Sequence, residues 1–165
     1  MGLAVPTKLE EKLVEALDRL VSEGFYVSRS EAIREAVRRL VAEQYVSLQK
    51  FLRVIAEVVS ETLTFNLGDQ VTDVVLFGSV ARGNATLDSD IDLLVLIKHE
   101  NASKVRRRLH EIVYPISLAS STPVTSIVMN RGEFIEWMKN GLNFAREIEK
   151  EGIQLHGDVL SLVRS

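Results

Sequence analysis

Two short runs of aliphatic and β-branched residues set the strongest limit on the fold of this 165-residue chain. They extend over Val71–Phe77 and Ile91–Ile97. Runs of this length and composition favour buried strands. The first ends at Phe77-Gly78-Ser79 and the second opens with Asp90-Ile91-Asp92, so ten residues separate Ser79 from Asp90. We therefore predict a sheet with a Gly-Ser turn at the end of one strand and an acidic pair at the start of the next.

Asp90 and Asp92 are candidate catalytic and metal-binding residues. Because side chains alternate along a strand, both carboxylates are expected on one face, with Ile91 and Leu93 on the other. Two bare carboxylates this close repel each other and one pKa rises, whereas Mg2+, a hard cation, stabilises the pair and can also hold a triphosphate. The pattern predicts a magnesium-dependent nucleotide site.

Gly78, Ser79 and Arg82 are candidate nucleotide-binding residues. Gly78 lets the chain turn and bring its backbone against a phosphate, and Ser79 adds a hydroxyl at an expected helix start. Arg82 can neutralise phosphate charge. Alone, Gly78-Ser79 would more often be an ordinary turn, and Asp88-Ser89-Asp90 a solvated loop. Their combination indicates a site.

This pattern, together with Ala81-Arg82-Gly83, resembles the minimal nucleotidyltransferase domain of the DNA polymerase β superfamily. Residues 144–155 resemble that family's C-terminal helix and closing strand. The resemblance implies transfer of a nucleoside monophosphate from a nucleoside triphosphate, with ATP as the expected donor, to a hydroxyl. It also implies metal ions, two in a complete site, held by Asp90 and Asp92.

A third carboxylate is absent from the place where active relatives usually carry one. That acid comes from a later strand and faces the aspartate pair. Here the strand is Val124–Met129, which contains no Asp or Glu and has Thr125 or Ser126 where the acid is expected. Glu133 could reach the site only if a loop folded back. We therefore expect nucleotide binding with slow or missing transfer.

The N-terminal third has the apolar period of helices. Leucines and alanines recur from Leu9 at steps of three and four residues, which predicts a helix over Glu10–Glu23 that ends at Gly24. Ser28 and Glu31 form a capping-box pattern for a second helix. No glycine or proline occurs between Ser28 and Asn66, so this helix can continue as a long connector.

A short strand followed by these two helices resembles the ribbon-helix-helix DNA-binding domains of the MetJ/Arc type, over about residues 3–46. The resemblance implies an obligate dimer, because the strand pairs with its twin from a second subunit to enter the major groove. Ser28, Arg29 and Ser30 would contact phosphates. The alternative is a module that only dimerises. The expected strand has two faces: Val5, Thr7 and Leu9 face the helices, and Ala4, Pro6 and Lys8 face the groove.

Composition excludes several classes of protein. The chain has no cysteine, so it can hold neither a disulfide nor a thiolate zinc site. No apolar run approaches the roughly 20 residues needed to span a bilayer. The first residues, MGLAVPTKLEEK, lack the pattern of a secretory signal. The net charge of −3 argues against broad attraction to nucleic acid. We expect a cytoplasmic protein with no membrane partner.

The sequence thus predicts an α+β protein: an N-terminal dimeric ribbon-helix-helix (1–46), a long connecting helix and linker (47–68) and a C-terminal mixed-sheet nucleotidyltransferase domain (69–165). Many small family members are antitoxins that modify a toxin encoded beside them. The resemblance therefore implies a toxin partner and an autoregulated operon. The alternative is a DNA-binding transcriptional regulator whose transferase-like domain only senses a nucleotide.

Overall fold

The computed structural model describes residues 8–98 and 102–163. The chain forms two compact units, Met1–Gln44 and Tyr45–Ser165. Ala4, Val5, Pro6 and Thr7, which we assigned to the N-terminal strand, lie outside the described residues.

Two helices make up the described part of the first unit. Helix α1 spans Glu11–Ser22, and Gly24, at φ +81°, allows the turn that follows it. Helix α2 begins at Arg29, where the Ser28 hydroxyl accepts a 3.2 Å hydrogen bond from the Glu31 backbone N–H. The Glu31 carboxylate accepts from the N–H of Val27, one residue before the position that a capping box uses. The predicted helix start is confirmed.

These two helices leave most of their apolar residues exposed. Ala32 is the one residue buried among those described in this unit, and helix α1 has none. Leu13 on α1 and Leu40 on α2 are both more than half exposed, at 53% and 58%. A pair of helices with this much exposed apolar surface lacks a core of its own.

Helix α2 is continuous over Arg29–Leu67 and so belongs to both units. The predicted long helix after the N-terminal module is confirmed. In the second unit its residues Leu52, Ala56, Val59 and Leu63 recur on one face and are buried. This face packs against the sheet, as the helical period requires.

The second unit is built on a four-stranded mixed sheet, which confirms the predicted fold class. The strand order is β3-β2-β1-β4; β2 is antiparallel to β1 and parallel to β3, and β4 is antiparallel to β1. The strands are β1 (Val71–Phe77), β2 (Ile91–Ile97), β3 (Val124–Asn130) and β4 (Ile153–His156). The remaining helices are α3 (Gly78–Arg82), α4 (Ala102–Ser120), α5 (Arg131–Lys139), α6 (Asn143–Glu151) and α7 (Val159–Val163).

Each face of the sheet packs into a separate apolar core. Leu93 and Val95 belong to the core that also contains residues of α2 and α4. Leu94 and Leu96 belong to the opposite core, with Phe134 of α5 and residues of α6 and α7. Strand β2 is therefore apolar on both sides, which explains its continuous run of aliphatic residues.

Asp73 is the one charged residue buried in the described part of the chain, and it holds the C-terminal segment against β1. Its Oδ1 accepts hydrogen bonds of 2.8 Å from the N–H groups of Asp158 and Val159 at the start of α7. Its Oδ2 lies 2.9 Å from Nε of Arg131. These contacts compensate a carboxylate that burial would otherwise disfavour.

No helix within residues 8–98 and 102–163 combines the length and apolar character that a bilayer crossing requires.

Candidate active site

Asp92 lies at the centre of the candidate site because of strand register. It is the cross-strand partner of Phe77 in β1 and of Thr125 in β3. Its neighbours in sequence, Ile91 and Leu93, are fully buried in the core of the opposite face. The sheet thus presents Asp92 at the end of β1, beside the Gly-Ser turn.

Gly78 is required by the position of Asp92. Its φ is +73°, a left-handed conformation that side chains rarely adopt. A Cβ at this position would also overlap the Asp92 carboxylate. Glycine therefore serves here both to turn the chain into α3 and to let a carboxylate lie directly against the backbone.

Asp90 directly precedes β2 and is presented by a short turn. The Ser89 hydroxyl accepts a 2.9 Å hydrogen bond from the N–H of Thr86, and the Ser89 N–H donates to the Thr86 carbonyl at 3.0 Å. The alternation argument requires Asp90 to continue the strand, but β2 begins at Ile91, so Asp90 lies one residue before it. The turn that Ser89 closes was missed, although Thr-x-x-Ser before the acidic pair was visible in the sequence.

Electrostatics link three of the predicted residues. Burial raises the pKa of Asp92 above its ordinary value, and the negative charge of Asp90 raises it further. The positive charge of Arg82 acts in the opposite direction on the same pKa. Asp90 and Arg82 therefore both lie close enough to Asp92 for their charges to act on it.

The aspartate pair suits a hard divalent cation that takes its other ligands from substrate or water. Two carboxylates that disfavour each other's charge are the oxygen donors that Mg2+ prefers. Within the described residues, no group of three or more His, Cys, Asp or Glu side chains could hold a metal ion. Among the described residues, two acids lie here rather than three.

Thr125, rather than Ser126, occupies the place expected for a third acid. Thr125 pairs with Asp92 and is exposed. Ser126 pairs with Leu93. Together with Val124 and Val128, it lines a pocket between β3 and α4. Because adjacent residues of a strand point to opposite faces, an acid at position 126 would lie on the wrong side of the sheet.

Arg82 ends α3 and faces α6. Its Nη1 lies 3.4 Å from Oε2 of Glu151 in an ion pair. Helix α3 is also bound to α2, because Gln49 donates a 3.2 Å hydrogen bond to the carbonyl of Val80. The guanidinium therefore has a protein partner before any phosphate arrives.

A pocket of about 170 Å³, the α6 pocket, borders Gly78. Its walls come from two segments far apart in sequence: Phe77, Gly78 and Arg82 on one side, and Phe144, Glu147 and Glu151 of α6 on the other. We had assigned no ligand contact to these α6 residues. The family resemblance of residues 144–155 implied helix α6, but it did not predict that this helix packs beside α3.

Comparison with known proteins identifies the second unit. The model of the nucleotidyltransferase domain family matches residues 52–156. The chain belongs to this family. The model of the ribbon-helix-helix proteins of the copG family matches residues 8–44, so the predicted fusion of these two modules is confirmed.

Named relatives of the chain include two adenylyltransferases. Spectinomycin 9-adenylyltransferase of Staphylococcus aureus is 33% identical over 75 residues, which cover 42% of this chain and 29% of that enzyme. The "Putative protein adenylyltransferase" of Methanocaldococcus jannaschii is 29% identical over 89 residues, covering 54% of this chain and 83% of that protein. The first match thus spans less than a third of the relative's length.

A solved structure described as "Crystal structure of the toxin-antitoxin with AMP-PNP" aligns with a TM-score of 0.46 and 20% identity. The alignment covers 65% of this chain and 79% of that one. Nucleotidyltransferases use nucleoside triphosphates, and this fold class generally uses divalent metal ions.

The candidate DNA contacts of the chain lie in its first unit. Ser28, Arg29 and Ser30 stand together at the start of α2, and Lys8 is exposed ahead of α1. Arg29 forms a bidentate ion pair with Asp18 of α1. The hydrogen bonds from Arg29 lower the pKa of the Asp18 carboxyl below its usual value. A phosphate would have to share Arg29 with Asp18.

Proposed function

We propose that this protein transfers AMP from ATP to a hydroxyl group on a partner protein. The observation that carries the proposal is the position of Asp92, against the backbone of Gly78 and close enough to Asp90 and Arg82 for their charges to shift its pKa. A carboxylate pair beside a Gly-Ser turn suits a metal-bound triphosphate. The adenylyltransferase relatives support AMP as the group transferred.

Each residue has a role in this proposal. Asp90 and Asp92 would hold Mg2+, which when bound offsets the charge of the triphosphate. Gly78 and Ser79 would lie against the phosphates, and Arg82 would add positive charge beside them. The acceptor oxygen attacks the α-phosphorus, the bond to the bridging oxygen breaks, pyrophosphate leaves, and the hydroxyl proton passes to solvent.

We propose that the acceptor is a toxin protein encoded beside this one. The resemblance to small antitoxins of this family supports a protein acceptor, and a DNA-binding dimer module suits a protein that represses its own operon. ATP and DNA meet in the cytoplasm, which is where we expect the protein to act.

Transfer can be measured directly with labelled ATP. We expect the full chain, incubated with Mg2+, α-labelled ATP and the product of the adjacent gene, to label that product and release pyrophosphate. Label in the γ position should not be transferred. Asp90→Ala should abolish labelling, because one carboxylate cannot hold the cation and orient the triphosphate. Labelling that is unchanged in Asp90→Ala would contradict the proposal.

For the first unit, we propose a ribbon-helix-helix dimer that binds DNA. Its exposed apolar residues, such as Leu13 and Leu40, support dimerisation, because a second copy of the chain would bury them. We expect dimers in light scattering and a DNA affinity that falls steeply with salt, because phosphate contacts release counterions. Arg29→Ala should weaken all DNA sequences alike, whereas Lys8→Ala should change sequence preference.

Two results would contradict this second proposal. Monomers at micromolar concentration would rule out the dimer. Weak DNA binding that is insensitive to salt and equal in the wild type and both variants would leave a module that only dimerises.

The neutral side chain of Thr125, at the position expected for a third acid, favours a second candidate function. A neutral hydroxyl paired with Asp92 is a poor replacement for a third metal-binding acid. On this reading the protein is a DNA-binding regulator whose transferase-like domain only senses the nucleotide. Operator affinity that changes with ATP, with no AMP transferred, would support it.

A further inference from the structure

We propose that the open edge of β3 is the docking site of the acceptor protein, which adds an extended, acidic segment to the sheet there. This rests on the proposed function, because it assumes that an acceptor protein is brought to the aspartate pair. Main-chain hydrogen bonds to β3 would supply the affinity of such a contact. Side chains that alternate between the two faces of the sheet would supply its specificity.

Strand β3 has a neighbouring strand on one side only, in the part of the chain that the structure describes. Pro123 directly precedes it, and its carbonyl accepts a 2.9 Å hydrogen bond from the N–H of Ile91, so this carbonyl faces β2. Because backbone groups alternate in direction along a strand, those of Val124 and Ser126 point away from β2. The strand thus offers N–H and C=O groups at its open edge to another chain.

The edge of β3 lacks most of the features that keep edge strands from pairing with other chains. Natural edges are shortened, charged, or interrupted by proline or a bulge. The seven residues of Val124–Asn130 include no charged residue and no proline, and Ile127 is 37% exposed. One group covers part of the edge, because Nη2 of Arg106 donates a 3.0 Å hydrogen bond to the carbonyl of Val128. The first half of the strand is therefore the open part.

This open half leads to the candidate active site. Thr125 is the register partner of Asp92 and is exposed. A strand added to β3 would lie about 10 Å from β2, which is two strand spacings. Its side chains on the Asp92 face would approach the aspartate pair from the β3 side, whereas Gly78 flanks Asp92 from the β1 side. The edge can therefore present an acceptor hydroxyl to the site without crossing the Gly-Ser turn.

The other face of the added segment would meet the pocket between β3 and α4, the α4 pocket. Its volume is about 250 Å³, and the buried side chains of Leu109 and Val113 form part of its lining. Arg106 also lines it, and none of the described lining residues is Asp or Glu. Beyond its bond to Val128, the guanidinium has further N–H donors, and a carboxylate is the partner that binds them most strongly.

The charge of α4 favours an acidic partner over a second copy of this chain. The helix carries four cations, at positions 104 and 106–108, against one acid, Glu111. Lys104, Arg106 and Arg107 are exposed. Two such edges would repel each other, whereas an acidic segment is attracted. Because side chains alternate, the acidic residue and the acceptor hydroxyl should be an odd number of positions apart in that segment.

Two variants remove the two kinds of contact separately. Arg106→Glu reverses the charge at the α4 pocket, and Ser126→Pro removes one N–H that points to the edge rather than to β2. Arg107→Glu is the matched control, because Arg107 is the next residue of α4, is exposed and does not line the pocket. We would measure by calorimetry the Kd of each full-length protein for the product of the adjacent gene, and verify folding by circular dichroism.

Arg106→Glu and Ser126→Pro should each raise this Kd by roughly tenfold or more, and Arg107→Glu should match the wild type. The affinity for ATP in Mg2+ should stay the same in all three variants. The N–H of Ser126 should exchange with deuterium more slowly once the acceptor is bound to the wild type. Replacing the contacting acidic residue of the acceptor with lysine should restore its binding to Arg106→Glu.

Several outcomes would overturn the inference. These are no binding by the wild type, an unchanged Kd in Arg106→Glu, or an equal loss in Arg107→Glu, which would indicate diffuse attraction to α4. If Ser126→Pro does not fold, Arg106→Glu and the exchange of the Ser126 N–H decide. A lower mass of the variants in light scattering, with unchanged acceptor affinity, would assign the edge to a second copy.

The same measurements separate this inference from the proposed function. AMP transfer by the wild type, with an unchanged Kd in both edge variants, would remove the inference and leave the proposed function. Weaker binding of the acceptor by both edge variants, without any AMP transfer by the wild type, would do the reverse.

Discussion

Thr125→Asp is expected to raise the rate of AMP transfer by about tenfold to a hundredfold. Thr125 is the register partner of Asp92 on the neighbouring strand, so an acid there would face the aspartate pair. A third carboxylate would supply the oxygen donor that the described residues lack and would help to hold a second cation during transfer. The measurement is the initial rate of label transfer from α-labelled ATP at saturating Mg2+.

Ser126→Asp is the control that the strand itself offers. It adds the same charge one residue further on, but its side chain lies on the α4 face with Val124 and Val128. We expect no gain in rate, and circular dichroism should verify that the variant is folded. Equal gains from both substitutions would mean that added charge, not position, raises the rate.

Glu133→Gln tests the remaining source of a third acid. Glu133 is exposed in the first turn of α5. If the wild type transfers AMP rapidly and Glu133→Gln abolishes the transfer, then α5 supplies the third acid. The hypothesis that this acid is missing, with Thr125 in its place, would then be wrong.

The sheet was predictable where each strand carries its own signal. Strands β1 and β2 were predicted residue for residue, because both are buried on two faces and so read as unbroken aliphatic runs. Helix α4 extends over Ala102–Ser120. It continues through Pro115, a residue that removes a backbone donor and usually marks the end of a helix.

The site was predictable in its local part only. Asp90, Asp92, Gly78 and Arg82 lie within fifteen residues, so a local pattern in the sequence was enough to single them out as candidates. The contacts from α6 were not predictable, because Glu151 is 69 residues from Arg82 and depends on tertiary packing. The choice between positions 125 and 126 likewise required the register of β3 against β2.

Asp92→Asn is expected to weaken Mg2+-dependent ATP binding by at least about tenfold and, at the same time, to raise thermal stability at pH 7. Binding falls because a cation ligand is lost. Stability rises because burial and the charge of Asp90 raise the pKa of Asp92 in the folded state above its ordinary value of 3.8. Between pH 3.8 and the raised pKa, the folded protein binds more protons than the unfolded chain. The free energy of unfolding therefore falls as pH rises through this range.

Calorimetry across pH checks the sign of this effect. The Tm of Asp92→Asn minus that of the wild type should be near zero well below pH 3.8, where the Asp92 carboxyl is uncharged in both the folded and the unfolded state. The difference should be positive at pH 7. Adding Mg2+ and ATP should reduce it, because ligand binding stabilises only the wild type. Asp88→Asn is the matched control, since Asp88 is exposed in the same loop. A Tm for Asp92→Asn below that of the wild type at pH 7 would show that the carboxylate stabilises the fold, and that its burial is compensated by contacts other than a cation.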